Sequence, residues 1–388
     1  MRFSGMFYDE LPKWFVRICL FSSIFVVFSL GFMNLPSSSK LKSNVLSMNL
    51  LSKFSGSKTS QMKPSIGSLS VSSMGVGTWS WGNRFLWGYD ESMDEEIQAA
   101  FNYCISKGVN WFDTADSYGT GKLAGQSEKL LGRFIREYEP ASKRKNIYVA
   151  SKFAPYPWRL GSSSIETACK ESIERLGKDQ VDVGQLHWPP SLGWQEEAYL
   201  TGFANLYNQK LITEIGLSNY GPKKLRQVQN SLGKRGVAAA SNQVQFSLIS
   251  RLPIESGLTE VADELGVQLI GYSPLGLGLL TGKYSIEDQR LPQGPRKLLA
   301  KELLPSMKPI LMTLEAVAAT RGKTMSQVAI NWTMSKGAIP IVGIKNVQQA
   351  KDNLGAMGWA LSASEVEEID IAAKKCKKQT VQNSFQTQ

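Results

Sequence analysis

Histidine is almost missing from this chain: there is one, His187, in 388 residues. A histidine-rich metal centre is therefore excluded. The four cysteines (Cys19, Cys104, Cys169 and Cys376) lie far apart, with no Cys-x-x-Cys spacing. Neither a zinc site nor a disulfide framework is expected, and Cys104 and Cys169 fall in helical patterns as core thiols. Acidic residues are absent from Leu11 to Tyr89. No basic run with interleaved aromatics occurs, so no nucleic-acid partner is expected. The apolar stretch Ile18–Met33, interrupted by three serines, falls short of the roughly 20 residues that a spanning helix needs.

What is present divides unevenly. Residues 1–63 carry eight Lys/Arg against Asp9 and Glu10, which leaves the remainder with only +5 of the formal +11. A serine-rich, basic, acid-poor leader has the composition of an organelle transit peptide. Residues 1–62 are accordingly expected to be a plastid-targeting leader, with a membrane-associated or secretory leader as the alternative because of the apolar stretch. No membrane role is expected of the mature domain. Residues 63–370 are expected to form one catalytic domain and 371–388 a carboxyl-terminal tail. No oligomeric state is read from the sequence.

Within the domain, strand-like and helix-like stretches alternate. Strands are expected over 74–79, 109–113, 147–152, 181–187, 212–218, 242–246, 268–273 and 339–344. Helices are expected from Ser92, over 127–138, 163–176, 195–209, 222–232, 255–265, 309–320, 325–336 and 346–355. Ser92-Met-Asp-Glu95 and Ser163-Ser-Ile-Glu166 read as capping boxes, and Gly108 and Gly177 as left-handed stops. Eight strand-helix units in succession indicate an α/β fold of the (β/α)8 TIM-barrel type, a parallel sheet closed on itself. Gly119-Thr-Gly-Lys-Leu-Ala124 matches the G-x-G-x-x-A dinucleotide fingerprint. It follows the second strand and a tyrosine loop, however, and is read as an ordinary flexible loop.

Barrels carry chemistry at the carboxyl ends of their strands. Asp113, Lys152 and His187 each end a strand, and Tyr118 lies in the loop just beyond one. Val181, Val183, Gln185 and His187 alternate onto one face, so inward valines imply an inward imidazole. A phenol, with its ordinary pKa of about 10, is too weak an acid to protonate a forming alkoxide readily at neutral pH. A neighbouring ammonium favours the phenolate. Lys152 is expected to supply that cation, Asp113 to keep it charged and aimed, and His187 to orient a carbonyl oxygen. No side chain supplies a hydride, so a cofactor must.

Phe112-Asp-Thr-Ala-Asp-Ser-Tyr-Gly119, Ser151-Lys152, Leu186-His-Trp-Pro189, Gly216-Leu-Ser-Asn219 and Tyr272-Ser-Pro-Leu275 resemble the motifs of the aldo-keto reductases, in order, over about residues 63–370. The resemblance implies Tyr118 as general acid, with Asp113, Lys152 and His187 completing a tetrad. Gly77-Thr-Trp-Ser-Trp-Gly-Asn83, Leu86-Trp-Gly-Tyr89, Tyr272–Gly278 and Gln382-Asn-Ser-Phe-Gln386 are similar to the plant plastid members that reduce pyridoxal to pyridoxine in vitamin B6 salvage. The implied cofactor is NADPH/NADP+ and the implied partner a small-molecule carbonyl substrate.

The same resemblance assigns Ser218, Asn219 and Gln243 to the nicotinamide carboxamide and Tyr272 to its ring. Ser273, Leu275, Gly276, Gly278 and Lys283, in or beside the glycine-rich loop after the seventh strand, are expected at the pyrophosphate. After the eighth strand come Gly343, Lys345, Gln349 and Asn353. Many relatives place an arginine where Gln349 stands, so Lys345 is expected to supply the charge for a 2′-phosphate. Aromatics on the mouth loops (Trp79, Trp81, Phe85, Trp87, Phe153, Tyr156, Trp158 and Trp188) suggest a wall for a flat heteroaromatic aldehyde. Trp79, Trp158 and Trp188 are the ones expected to touch it. Two other readings fit the same motifs: a sugar dehydrogenase of the family, and a nucleotide-binding regulatory protein like the potassium-channel β-subunits.

Overall fold

The computed structural model describes residues 64–294, 296–380 and 386–387; the expected leader, 1–62, and most of Gln382–Gln386 lie outside them. The first described element is a hairpin, β1 (Ser65–Ile66) and β2 (Leu69–Ser70). Eight strands follow: β3 (Gly75–Gly77), β4 (Trp111–Asp113), β5 (Tyr148–Phe153), β6 (Val181–Leu186), β7 (Ile212–Ser218), β8 (Ala239–Gln245), β9 (Gln268–Tyr272) and β10 (Ile339–Gly343). They are parallel and close into a barrel, with β10 paired to both β9 and β3. The register sets Gly77 beside Asp113, Lys152 beside Gln185, and Ser218 beside Gln243. The polar residues that end these strands are thereby gathered at one mouth.

Helices pack around the barrel. Ile97, Ala100, Phe101 and Cys104 are buried along helix Asp94–Ser106, as their spacing predicts. Cys104, Cys169 and Cys376 are buried free thiols, and burial pushes the first two up to about 12. Among the described residues no helix is long and apolar enough to cross a membrane.

The barrel interior is a separate apolar layer in which Trp111, Ala150, Val183, Ile270, Ile339 and Ile341 meet Ile66, Leu69 and Val71 of the hairpin segment. Gly75 has no side chain because the Trp111 indole occupies that space. Glu214 fastens the hairpin by accepting from Ser68 N at 2.7 Å and Ser68 Oγ at 2.6 Å. The hairpin plugs the end of the barrel opposite the polar mouth. Its strands, two residues each, are too short for any periodicity to announce them.

Several local expectations need correction. Ser92 and Ser163 do not form capping boxes: Asp90 accepts from Ser92 N at 3.0 Å, and helix Ser162–Leu176 has no side-chain cap. Capping boxes instead join Thr324 to Gln327 and Ser362 to Glu365. The helix expected over 255–265 is two, Leu252–Glu255 and Leu258–Glu264, separated at Gly257 in the left-handed region. The helix expected from 309 begins at Arg296 and runs through Pro305 and Pro309 to Arg321. Burial of Leu303, Leu304, Met307 and Ile310 outweighs the local helix-breaking tendency of the prolines. Helix Ala363–Lys375 was not anticipated, and it crosses residue 370.

Helix Gln126–Glu137 is locked onto the barrel at its start. Ser127 Oγ pairs with Thr78 Oγ1 at 2.6 Å and with Thr114 Oγ1 at 3.0 Å. Buried Glu128 accepts from Ser151 Oγ at 2.5 Å and Arg175 Nε at 2.6 Å. Further along, Gly132 lets this helix approach the end of helix Ser162–Leu176, where an added Cβ would fall onto the Leu176 carbonyl. Backbone cannot yield as a side chain can. Gly132→Ala should therefore lower stability by about 1–3 kcal/mol, to be read from the midpoint of chemical denaturation. An unchanged midpoint would show that the two helices slide apart at no cost.

Candidate active site

Lys152, at the end of β5, is 1% exposed and carries an ammonium whose three N–H groups are all engaged. Nζ donates to Asp113 Oδ1 at 2.5 Å, to Thr114 O at 2.8 Å and to Tyr118 Oη at 3.1 Å. It also lies 4.7 Å from the centroid of the Tyr118 ring. Asp113, at the end of β4, spends its other oxygen on two carboxamides, Gln185 Nε2 at 3.0 Å and Gln243 Nε2 at 2.7 Å. The loop carrying Tyr118 continues the strand pairing, because Thr114 N donates to Ala150 O and Asp116 N to Lys152 O. His187 follows β6, with its ring centroid 5.8 Å from that of Tyr118 and Nδ1 3.4 Å from Ser117 Oγ. These four side chains, on consecutive strands and one loop, meet at one point.

Burial acts oppositely on the members of this cluster. It pulls Lys152 down, but Asp113 and Tyr118 together hold the ammonium above its ordinary value of 10.5. Burial pushes the Tyr118 phenol up; Lys152 opposes this and Asp113 reinforces it, and the net direction is upward. The expectation that the cation would leave the phenol acidified is thus only half met, since the ammonium offsets part of a larger burial effect. His187 is held well below its ordinary value by burial, then by Lys152 and Arg159. At neutral pH the cluster contains a charged lysine, a protonated phenol and a neutral imidazole.

The mouth continues around the barrel. Ser218 Oγ donates to Gln243 O at 2.9 Å, and Asn219 Nδ2 donates to Ser218 Oγ at 3.1 Å and His187 O at 3.2 Å. Tyr272 Oη donates to Asn219 Oδ1 at 3.1 Å. Asn219 holds φ 67°, the left-handed region that asparagine tolerates better than most residues with a side chain. Beyond β9, Ser273, Gly276, Leu277 and Gly278 also have positive φ. The loop Leu275–Gly282 folds so tightly that a Cβ on Gly276 would sit 3.0 Å from Ile249 Cγ1 and closer still to Cδ1.

Past β10, Gln349 Oε1 accepts from Lys345 N at 2.9 Å, while buried Asn353 directs Nδ2 to Gly343 O at 3.4 Å. Both carboxamides fasten the turn after the strand. Lys345 Nζ donates to Trp87 O at 3.2 Å, and its pKa is pulled down by burial, then by Arg296 and Lys283. Lys283 lies 4.9 Å over the Tyr284 ring and the Arg296 guanidinium 4.7 Å over that of Trp87. None of these three cations is in an ion pair among the described residues, and Arg296 Nε is buried without a partner. Three crowded, unneutralised cations beside a tight glycine turn suit a phosphate-bearing group.

The aromatics separate into two sets. Trp81 and Phe153 are fully buried core and not wall, with Trp81 Nε1 donating to Ile344 O at 2.8 Å. Trp79 sits edge-on to Trp87 at 5.8 Å. Trp158 stacks on Tyr156 at 4.6 Å, Tyr156 meets Trp188 at 6.1 Å, and Trp188 lies 4.8 Å from His187. Rings therefore run without a gap from exposed Trp158 to Tyr118. The loop Gly119–Ala124 makes a single 3-10 turn at Gly121–Leu123, and helix Gln126–Glu137 opens just beyond it at Gly125. Gln185 and Arg296 were not anticipated as site residues. Gln185 had a signal, a polar residue on the inward face of an apolar strand, whereas Arg296 lies outside the helix expected over 309–320.

A sequence model of the Aldo/keto reductase family matches residues 73–374. The chain is 50% identical over 325 residues to the chloroplastic pyridoxal reductase of Arabidopsis thaliana, covering 83% of this chain and 88% of that protein. A thermostable aldo-keto reductase solved with the inhibitor epalrestat superposes with TM-score 0.62 at 27% identity, over 78% of this chain and 95% of that one. An aldo/keto reductase from Klebsiella pneumoniae, solved with NADP and acetate, has the same fold at TM-score 0.62 and 22% identity, over 80% of this chain and 95% of that one.

The buried pair makes a signed pH prediction. In Asp113→Asn the Lys152 ammonium loses its anion, and breaking a buried pair costs about 3–5 kcal/mol near neutrality. Wild-type Lys152 has a raised pKa, so its contribution is complete below 10.5 and fades as pH rises through the folded value. In the variant burial depresses that pKa with only Tyr118 left to oppose it, so folding improves as the lysine deprotonates. The stability gap measured by denaturation should narrow as pH climbs from 7 toward the lysine's ordinary value. A gap independent of pH would show that Asp113 does not hold the charge.

Proposed function

Since the chain belongs to the aldo-keto reductase family, we propose that it is an NADPH-dependent aldehyde reductase whose substrate is pyridoxal, reduced to pyridoxine. The observation that carries the reading is the three-way engagement of Lys152, which spends one N–H on the hydroxyl of Tyr118. The substrate assignment draws on the Arabidopsis relative, a pyridoxal reductase, at 50% identity. That relative's chloroplastic designation supports a plastid location here, with residues 1–62 as the transit segment, 63–370 as the catalytic barrel and 371–388 as the tail.

Ser218, Asn219 and Gln243 would hold the nicotinamide carboxamide. The Gln243 Nε2 group is already given to Asp113, so its carbonyl oxygen is the atom left to accept from that amide. Tyr272 would lie against the ring, and the tight loop of Ser273, Leu275, Gly276 and Gly278 would let the pyrophosphate approach the backbone closely, although the N–H groups of Gly276 and Gly278 already donate to Ser273 O and Leu275 O. Lys283, Arg296 and Lys345 would face the phosphate end, which supports NADPH over NADH even though Gln349 brings no charge. The bound dinucleotide supplies the hydride.

The protein's own residues do the rest. Neutral His187 donates a hydrogen bond to the carbonyl oxygen and orients it. Tyr118, protonated at neutral pH, gives its proton to that oxygen as negative charge develops there. The phenolate left behind is stabilised by Lys152, which Asp113 keeps charged. Aromatic rings along the mouth provide a flat apolar surface for a heteroaromatic aldehyde.

Purified protein given NADPH and pyridoxal should consume both, read as loss of the reduced-nicotinamide absorbance. Tight nucleotide binding without consumption would point to a regulatory protein, and oxidation of a sugar with NADP+ alone to a dehydrogenase. Tyr118→Phe should lose on the order of 10²–10⁴-fold in kcat with nucleotide affinity nearly intact, because the hydroxyl acts only in the transition state. Unchanged turnover would remove Tyr118 from its role.

A further inference from the structure

Asp116 is a buried carboxylate that the mechanism above does not use. Its side chain is 2% exposed, and Oδ2 accepts from Arg159 Nη1 at 2.5 Å and Ala154 N at 3.4 Å. Oδ1 is buried with no partner among the described residues. Asp116 lies two residues before Tyr118, whereas Arg159 lies on the separate loop after β5. That loop carries Tyr156 and Trp158, the outer half of the ring series that ends at the proton donor.

Arg159 holds its loop in three directions. Its Nη1 also donates to Ala154 O at 2.8 Å, and its guanidinium lies 5.1 Å over the Tyr156 ring. Its backbone carbonyl accepts from Gln195 Nε2 at 3.2 Å and from Tyr199 Oη, both on helix Gly193–Asn208. Gln195 Nε2 also reaches Tyr156 O at 3.5 Å. Trp158 itself is 62% exposed and stacks on Tyr156 with an interplanar angle of 9°. Its orientation therefore depends on Tyr156, and Arg159 and Trp188 both bear on that of Tyr156. A tryptophan this exposed has little burial of its own to hold it in one place.

We propose that the Asp116–Arg159 ion pair is a specificity clamp: it fixes the Tyr156–Trp158 surface at a set distance from Tyr118, and so makes the enzyme prefer flat aromatic aldehydes to small aliphatic ones. Arg159 is a positioning residue here, acting through the rings it orients. The inference rests on the aldehyde-reductase reading and deepens it, because it names which part of the substrate is selected and by what. A planar guanidinium suits the task, since it can stack on a ring and bond a carboxylate in the same plane. Lysine offers a point charge with no plane to stack.

Breaking the clamp should leave the site folded. Burial already pushes Asp116 up to about 6, opposed chiefly by Arg159. Without the arginine the carboxyl can take a proton and become neutral, which is less costly than leaving a buried charge unpaired.

The test compares benzaldehyde, pyridoxal and propanal as substrates of the full-length protein with NADPH. Arg159→Met should raise KM for the two aromatic aldehydes about tenfold, the scale of one lost aromatic contact. Its kcat/KM for propanal and its nucleotide affinity should stay within about twofold, inside ordinary surface-substitution effects. Arg159→Lys should recover part of the loss. Trp158→Ala, at an exposed position, should reproduce the aromatic-only effect with the clamp intact. Equal losses for aromatic and aliphatic aldehydes would reduce Arg159 to a structural residue and overturn the proposal, as would unchanged aromatic KM in either Arg159→Met or Trp158→Ala. Benzaldehyde reduction without pyridoxal reduction in the wild type would count against the proposed substrate alone and leave the comparison legible.

Discussion

An ammonium at 1% exposure must have its hydrogens answered, and the mouth of this barrel is arranged around answering those of Lys152. Two go to atoms of the neighbouring strand and loop, Asp113 Oδ1 and Thr114 O, and the third to the phenol of Tyr118. Asp113 in turn needs its second oxygen satisfied, which brings Gln185 from β6 and Gln243 from β8 across the barrel. Gln185 fits because Gly216 beside it has no side chain; a Cβ there would lie 2.6 Å from Gln185 Cγ. One buried charge thus dictates residue choice on five strands.

The same burial sets the protonation states that a proton-donating site requires. Removal from water favours neutral phenol and neutral imidazole, so Tyr118 keeps its proton and His187 does not gain a second one. Lys152 escapes that trend only because Asp113 and Tyr118 hold it. Cation, donor and neutral hydrogen-bonding ring are therefore consequences of one low-dielectric setting with Asp113 placed against Lys152. No separate device is needed for each.

Around this centre the loops take different work. Those after β9 and β10 bring a tight glycine turn and the cations Lys283, Arg296 and Lys345, the last of which has its pKa depressed by burial and then by the other two. Those after β5 and β6 bring rings, with Tyr156 and Trp188 linking exposed Trp158 to His187. The opposite end of the barrel is closed by the hairpin packed on Trp111, and it carries none of this chemistry. The division follows from parallel strands, whose carboxyl ends all open on the same side.

Much was legible in the chain itself because it is local or periodic. Strand-helix alternation announced a closed parallel barrel, and Asp113, Lys152 and His187 could be named because each ends an apolar run. What escaped was settled by contacts between residues distant in sequence. Gln185 and Gln243 are joined through Asp113, 72 and 130 residues away. Arg296 acquires a place only because helix Arg296–Arg321 overrides two prolines, and Trp81 and Phe153 became core because of what packs on them. The sequence determined which groups stand at the strand ends, since side-chain parity and helix period are properties of the backbone. Only the closing of the barrel decided their charges and partners, because burial and pairing do not exist until the strands meet.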